Sequence, residues 1–268
     1  MLAVRPVKTR RLVTALITVL LSASSGFAQE AKTPSDAELG EITARGRILA
    51  AYDTAAWHAS DAVQALHPAE GSVRRYVAKQ TINGWIVGFG RLNDTSDKFL
   101  VAYEATEAED PQHFSVKAHE PPLEDTGFYF HSARAVDTAL ADFRGPKRAF
   151  NVAALPTGSQ QLYVYVYPAQ TDTNVFVMGG DVRYLISPDG ESIVEKRQMH
   201  KTILENKVPG EGAKLAAGYH THVLSDIPED TDVFYVLTRK PAVPEYVGIS
   251  KDLIYIVNVD GSIERAKM

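Results

Sequence analysis

The chain contains no cysteine among its 268 residues, and this absence limits how it can be stabilised. It excludes disulfides, thiolate zinc sites, iron–sulfur clusters and cysteine nucleophiles. Packing of an apolar core must therefore stabilise the fold, and 45% of the residues are hydrophobic. Any metal ion must be held by histidine and carboxylate side chains.

The first 28 residues predict a cleaved export signal. Four basic residues precede an apolar run at 12–21, and small residues lead to a cleavage site after Ala28. Ten apolar residues are too few to span a bilayer as a helix. We therefore expect a mature protein in the periplasm or outside the cell, without stable membrane insertion.

The charge balance argues against nucleic acid as a partner. The formal net charge is −5, and the predicted cleavage leaves 24 basic and 33 acidic residues in the mature chain. No global positive field then exists to hold a phosphate backbone.

The remaining pattern predicts an α+β fold with antiparallel sheets and a few packed helices. Apolar periodicity and capping signals place three helices, and alternating runs beside turn residues place two hairpins. The expected helices are 36–67, 131–143 with Ser132 as its cap, and 229–239; the expected hairpins join 85–90 to 99–103 and 182–186 to 192–200.

A composition break near 146–156 predicts two regions. Residues 29–150 form an N-terminal α+β region of unknown role, and residues 151–268 form a second one. Residues 162–167 carry bulky side chains on both faces, which is typical of a central strand.

The segment Gly218-Tyr219-His220-Thr221-His222 carries the clearest chemistry in the sequence. On an extended segment, side chains at i and i+2 point to the same side, so His220 and His222 can share a divalent cation. Carboxylates at 229, 230 and 232 open the following helix and can supply a third ligand. The other six histidines show no ligand spacing. His200 is assigned a structural role, with the alternative that it approaches the site if the 182–200 hairpin packs there.

This pattern resembles the JAMM metalloprotease family, also called JAB or MPN+. Its motif is an upstream glutamate, then His-Ser/Thr-His, seven residues, a serine, two residues and an aspartate. The resemblance is confined to 175–265, includes the two strands expected near 246–257, and implies a C-terminal JAB-like region. It further implies that His220, His222 and Asp232 bind zinc with a water in the fourth position.

In the family the glutamate is the general base, and Glu195 is the first choice for that role. Glu191 and Glu205 are alternatives, and the strand that usually carries this residue offers only Asp181. The implied activity is zinc-dependent hydrolysis of a peptide or isopeptide bond in a substrate of the cell envelope.

The motif departs from the family at two points. Depending on how the loop is aligned, either Asp232 or Asp230 takes the zinc-ligand position. In both alignments the serine that supports the oxyanion is missing.

Two other interpretations stay open. A cupin also begins its metal motif with His-x-His, but it needs a second histidine motif downstream, and no histidine follows His222. The second alternative is a non-catalytic periplasmic binding or structural module with a degenerate metal site.

Overall fold

A computed structural model describes residues 33–207, 210 and 214–267. The predicted export signal at 1–28 lies outside these residues. The described residues form one compact unit. Among the described residues, no helix has both the length and the apolar character needed to cross a membrane.

The three predicted helices are confirmed, with shifted ends: α1 spans Asp36–Gln64, α2 spans Phe128–Asp142 and α3 spans Asp230–Thr238. A capping box between Ser35 and Glu38 begins α1. Helix α2 begins before the predicted cap because the Asp125 carboxylate accepts hydrogen bonds from two backbone amides at its start. Ser132 is therefore not a cap but lies buried inside the helix.

The first sheet is an antiparallel meander in the order β1-β2-β3-β4. Its strands are β1 Arg75–Thr81, β2 Gly84–Leu92, β3 Phe99–Glu107 and β4 Phe114–Asp125. The β2–β3 pair confirms the first predicted hairpin.

The second sheet has the order β5-β6-β8-β9 and is also antiparallel. Its strands are β5 Phe150–Pro156, β6 Leu162–Pro168, β8 Val182–Ile186 and β9 Ile193–Gln198, while β7 Val175–Gly179 pairs instead with β10 Ile203–Lys207. Strand β6 is interior, as its bulky faces predicted, and β8–β9 is the second predicted hairpin.

The third sheet has the order β11-β12-β13-β14. Its strands are β11 Gly218–Thr221, β12 Glu245–Ser250, β13 Leu253–Val257 and β14 Ile263–Arg265. Strands β11 and β12 are parallel because α3 crosses between them, and the other pairs are antiparallel. The α+β fold class is therefore confirmed.

Helix α1 packs across α3, and this contact places the first turn of α3. A Cβ atom at Gly46 would overlap the Val233 side chain and the Asp230 carbonyl, so the close approach requires glycine. The N-terminal end of α1 packs in the core of the third sheet, and its middle packs in a core shared by the first two sheets. The predicted division near residue 150 stays a prediction.

Candidate metal centre

Strand β11 brings His220 and His222 together, as the i, i+2 spacing predicted. His222 follows the last strand residue, and its amide continues the ladder by donating to the Gly248 carbonyl. The Nε2 atoms of the two imidazoles lie 3.2 Å apart, and both residues are buried.

Helix α3 contributes Asp232 from its first turn. Its Oδ1 lies 3.1 Å from His220 Nε2, and its Oδ2 lies 3.2 Å from His222 Nε2. The same Oδ2 accepts the Glu229 amide at 2.7 Å, which fixes the carboxylate at the helix terminus.

The structure thus separates the two aspartates that the sequence left open. Residues two apart on an α-helix differ by about 200° in direction, so they face opposite sides. Asp230 turns away from the histidines and binds Arg45, Arg183 and Tyr165.

His200 joins the same group from the segment after β9. Its Nε2 lies 3.0 Å from His222 Nε2 and 3.1 Å from Asp232 Oδ1. The sequence favoured a structural role for His200, because nothing in the spacing links residue 200 to 220. The alternative, that the 182–200 hairpin brings His200 to the site, is the one that the structure supports.

His200, His220, His222 and Asp232 are called the histidine cluster below. One potential ligand atom from each lies within 4.8 Å of every other, and all four residues are buried. The segment after β9, the strand β11 and the helix α3 supply them, so the group exists only in the folded chain.

Each imidazole of the cluster has a second partner at Nδ1. His200 Nδ1 lies 2.8 Å from Asp181 Oδ1, His220 Nδ1 lies 2.9 Å from Glu245 Oε1, and His222 Nδ1 lies 2.9 Å from the Ile227 carbonyl. All three partners are acceptors, so they favour a proton on Nδ1 and leave Nε2 as the atom of each ring that faces the rest of the cluster.

The partner of His220 is itself held in place. Arg239 Nη1 donates to Glu245 Oε2 at 2.5 Å, and both side chains are buried. A Cβ atom at Gly218 would overlap this carboxylate, so only glycine leaves room for the pair beneath β11.

Burial and the neighbouring charges shift the pKa values of the cluster in opposite directions. Burial lowers the pKa of His220, but Asp232 and Glu245 outweigh it and raise that pKa to about 9. Burial also lowers the pKa of His200, but Asp181 and Asp232 raise it well above its usual value. For Asp232 burial raises the pKa, and the neighbouring imidazoles hold it well below its usual range.

The donor set fits a divalent transition-metal ion. A tetrahedral ion bound at 2.0–2.1 Å places its nitrogen ligands about 3.3 Å apart, close to the Nε2 separations of 3.0 and 3.2 Å here. Asp232 Oδ1 is buried and makes no well-aligned hydrogen bond, and its near neighbours are the Nε2 atoms of His200 and His220 at 3.1 Å, so a cation between them can bind it. The cluster can therefore hold a metal ion.

One side of the cluster borders an open cavity of about 310 Å³. All three histidines line it, together with apolar side chains that include Met178, Leu204 and Leu224. An ion in the cluster is thus accessible from this side.

The candidate bases lie outside the histidine cluster. Glu195 is exposed on β9, opposite Leu185 in the register. The alternatives Glu191 and Glu205 form ion pairs with Arg134 and Arg148, respectively. The role of Glu195 as a base stays a prediction, and Asp181 is the partner of His200.

No protein-family model matches the chain, and no curated protein or solved structure matches it either. The resemblance to the JAMM family therefore stays a prediction from the residues quoted above. A fourth candidate ligand, His200, is the main difference between the histidine cluster and the family's ligand set.

Proposed function

We propose that the protein is an exported zinc-binding protein whose histidine cluster holds one zinc ion. The observation that carries this proposal is the convergence of three Nε2 atoms and one carboxylate in a buried group. Zinc prefers four nitrogen and oxygen ligands in tetrahedral geometry, and the chain offers this number.

The four side chains support a non-catalytic role best. Structural zinc sites have four protein ligands, whereas catalytic sites keep one position open. Bound zinc would supply a cross-link between β11, α3 and the segment after β9. The Nδ1 partners Asp181 and Glu245 orient two of the imidazoles for this task.

The cavity favours a second candidate, zinc-dependent peptide hydrolysis. In this proposal His220, His222 and Asp232 would hold the ion, and His200 would have to leave one coordination position open. Zinc bound there would act as a Lewis acid on a carbonyl oxygen. Glu195 would accept a proton from the attacking water. The substrate would be a peptide or protein of the cell envelope.

Metal analysis of protein purified without chelator tests the zinc proposal. We expect about one zinc per chain in the wild type and less than about a tenth of that in the double variant His220→Ala/His222→Ala. The control is His58→Ala/His113→Ala, which removes two histidines outside the cluster and should keep the wild-type zinc content. Equal, near-zero zinc in all three proteins would contradict the proposal.

Peptidase assays then separate the two candidates. Zinc-loaded protein is incubated with casein and with a quenched fluorescent peptide library, with and without chelator. Zinc-dependent cleavage that Glu195→Gln abolishes, and that Glu191→Gln leaves intact, would support hydrolysis. Stoichiometric zinc without cleavage would support the non-catalytic role.

A further inference from the structure

Strand β11 is the edge strand of the third sheet. It pairs with β12 on one side, and in the described part of the chain no strand pairs with its other side. An unpaired edge presents free backbone donors and acceptors, and it can accept another extended chain.

The register shows which backbone groups lie on the open side. The Gly218 amide donates to the Pro244 carbonyl, and the His222 amide donates to the Gly248 carbonyl, both towards β12. In a parallel pair the backbone groups alternate sides from one residue to the next. The amides and carbonyls of Tyr219 and Thr221 therefore point to the open edge.

This edge lies in the cavity beside the histidine cluster. Residues 219–224 line the cavity without interruption. Its walls include exposed apolar side chains: Tyr219 is 63% exposed, Val223 is 73% exposed and Leu224 is 48% exposed. Adjacent exposed apolar groups beside an unpaired edge are typical of a binding surface.

The charge at this surface has one sign. Lys201 lines the cavity, and within the described residues it has no ion-pair or hydrogen-bond partner. Lys201 also lines a neighbouring cavity of about 670 Å³, which adds Arg144. Among the described residues neither lining contains an aspartate or glutamate, although acidic residues outnumber basic ones in the chain.

We propose that the edge of β11 binds an extended peptide that carries a carboxylate side chain. The peptide adds as a strand to Tyr219 and Thr221, its apolar side chains pack against Val223 and Leu224, and its carboxylate faces Lys201. The inference goes beyond the zinc proposal, because none of these contacts needs a metal ion. It places a peptide backbone beside the histidine cluster, whichever role the ion has.

Fluorescence polarisation with a labelled octapeptide tests the proposal. The probe alternates valine and threonine and carries one central glutamate. One control peptide replaces the glutamate with lysine. The other carries N-methyl groups on two consecutive central residues, so that one amide on each edge of the bound strand is blocked. Because main-chain hydrogen bonds supply most of the affinity in strand addition, we expect N-methylation to weaken binding at least about tenfold. The lysine peptide should bind about three- to tenfold more weakly than the glutamate peptide.

Matched variants locate the surface. Lys201→Glu and Val223→Asp should each weaken binding about fivefold or more, since both side chains are exposed beside the edge. The controls Lys251→Glu and Val259→Asp change exposed residues outside the cavity lining and should leave the affinity within about twofold. If all four variants bind the peptide with the affinity of the wild type, the assignment of the binding surface to β11 is wrong.

The outcomes also separate this inference from the zinc proposal. Zinc content is measured on the same samples, and binding is recorded with and without chelator. Zinc at full occupancy with no peptide binding would overturn the inference and leave the metal site standing. Peptide binding to zinc-free protein would support the inference even if the metal proposal failed. Dimerisation on a sizing column with no peptide binding would assign the edge to a second copy and overturn the proposal.

Discussion

Two carboxylates in the first turn of α3 face opposite surroundings, and the comparison explains how this part of the molecule works. Asp232 faces three imidazoles in the histidine cluster. Asp230 faces Arg45, Arg183 and the Tyr165 hydroxyl, a set called the arginine cluster below. Both carboxylates are buried, so each needs compensating charge close by.

The two clusters differ in whether that compensating charge can be exchanged. Guanidinium groups stay protonated in proteins, so the arginine cluster has a permanent charge balance. Imidazoles can lose their protons, and a divalent cation can then take the place of the lost protons. The arginine cluster thus stabilises the helix under all ordinary conditions, while the histidine cluster does so in a way that depends on metal and pH.

The largest expected effect comes from breaking the arginine cluster. Asp230→Asn leaves two guanidinium groups without their carboxylate, and removing one partner of a buried ion pair costs about 3–5 kcal/mol. Urea unfolding should show the same loss with and without chelator, while the folded variant keeps its zinc. Asp226→Asn, an exposed control, should change the free energy of unfolding by less than about 0.5 kcal/mol. If the loss of unfolding free energy disappears when zinc is removed, the two clusters do not stabilise the fold independently.

The converse change, Asp232→Asn, should remove the zinc-dependent part of the stability. Zinc at a concentration one hundred times its dissociation constant stabilises a protein by about 2.7 kcal/mol. We expect zinc to raise the Tm of the wild type and of Asp226→Asn, but not that of Asp232→Asn, because the variant lacks the anionic ligand. Calorimetry with added zinc or chelator measures this difference. An equal zinc-induced rise in all three proteins would show that Asp232 is not a ligand.

The pH dependence should also distinguish the two clusters. Without zinc, the pKa of His220 is about 9 in the folded state and about 6.5 in the unfolded state. The proton on His220 therefore stabilises the folded state, and this stabilisation is complete below about pH 6.5. This stabilisation is lost as the pH rises through about 9. Zinc must displace the proton, so its apparent affinity should increase by up to tenfold per pH unit, about 1.4 kcal/mol, for each proton released.

Thermal unfolding between pH 6 and pH 9 measures this effect. The Tm difference between zinc-loaded and chelator-treated protein should grow with pH, whereas the loss caused by Asp230→Asn should stay constant. A zinc effect that shrinks as the pH rises would contradict the assignment of neutral imidazole ligands.

Local signals in the sequence predicted much of this fold. Capping residues and apolar periodicity located all three helices, and turn residues located both hairpins. The exception at Ser132 has a local cause, because Asp125 lies far enough upstream to cap an earlier start of α2. Such features depend on neighbouring residues and can therefore be inferred without tertiary information.

The candidate site was predictable only where its residues are close in the sequence. The His220 and His222 pair lies on one strand, and Asp232 follows on the next element. The sequence could also have shown that only one of the two aspartates faces the histidines, since Asp230 and Asp232 lie on opposite sides of a helix. His200 and its partner Asp181 reach the site only through the packing of the second sheet against α3, which no local spacing encodes.

The smallest effect expected here comes from the pair formed by His200 and Asp181. Asp181→Asn keeps the shape of the side chain but replaces the charged acceptor at His200 Nδ1 with a neutral amide. Carboxylate partners of metal-bound histidines raise ligand basicity, and their loss typically weakens metal binding 10–100-fold. We expect about tenfold, the low end, because Thr231 Oγ1 also lies 3.4 Å from His200 Nδ1 and can help to orient the ring.

Competition with a fluorescent zinc chelator measures the affinity, and Asp252→Asn is the control because this aspartate lies exposed in the turn between β12 and β13. An unchanged affinity in Asp181→Asn, together with a large loss in His200→Ala, would mean that His200 binds zinc without help from Asp181. An unchanged affinity in both variants would reduce the ligand set to His220, His222 and Asp232. That set leaves one coordination position open, so this outcome would shift the balance from the cross-linking role towards hydrolysis.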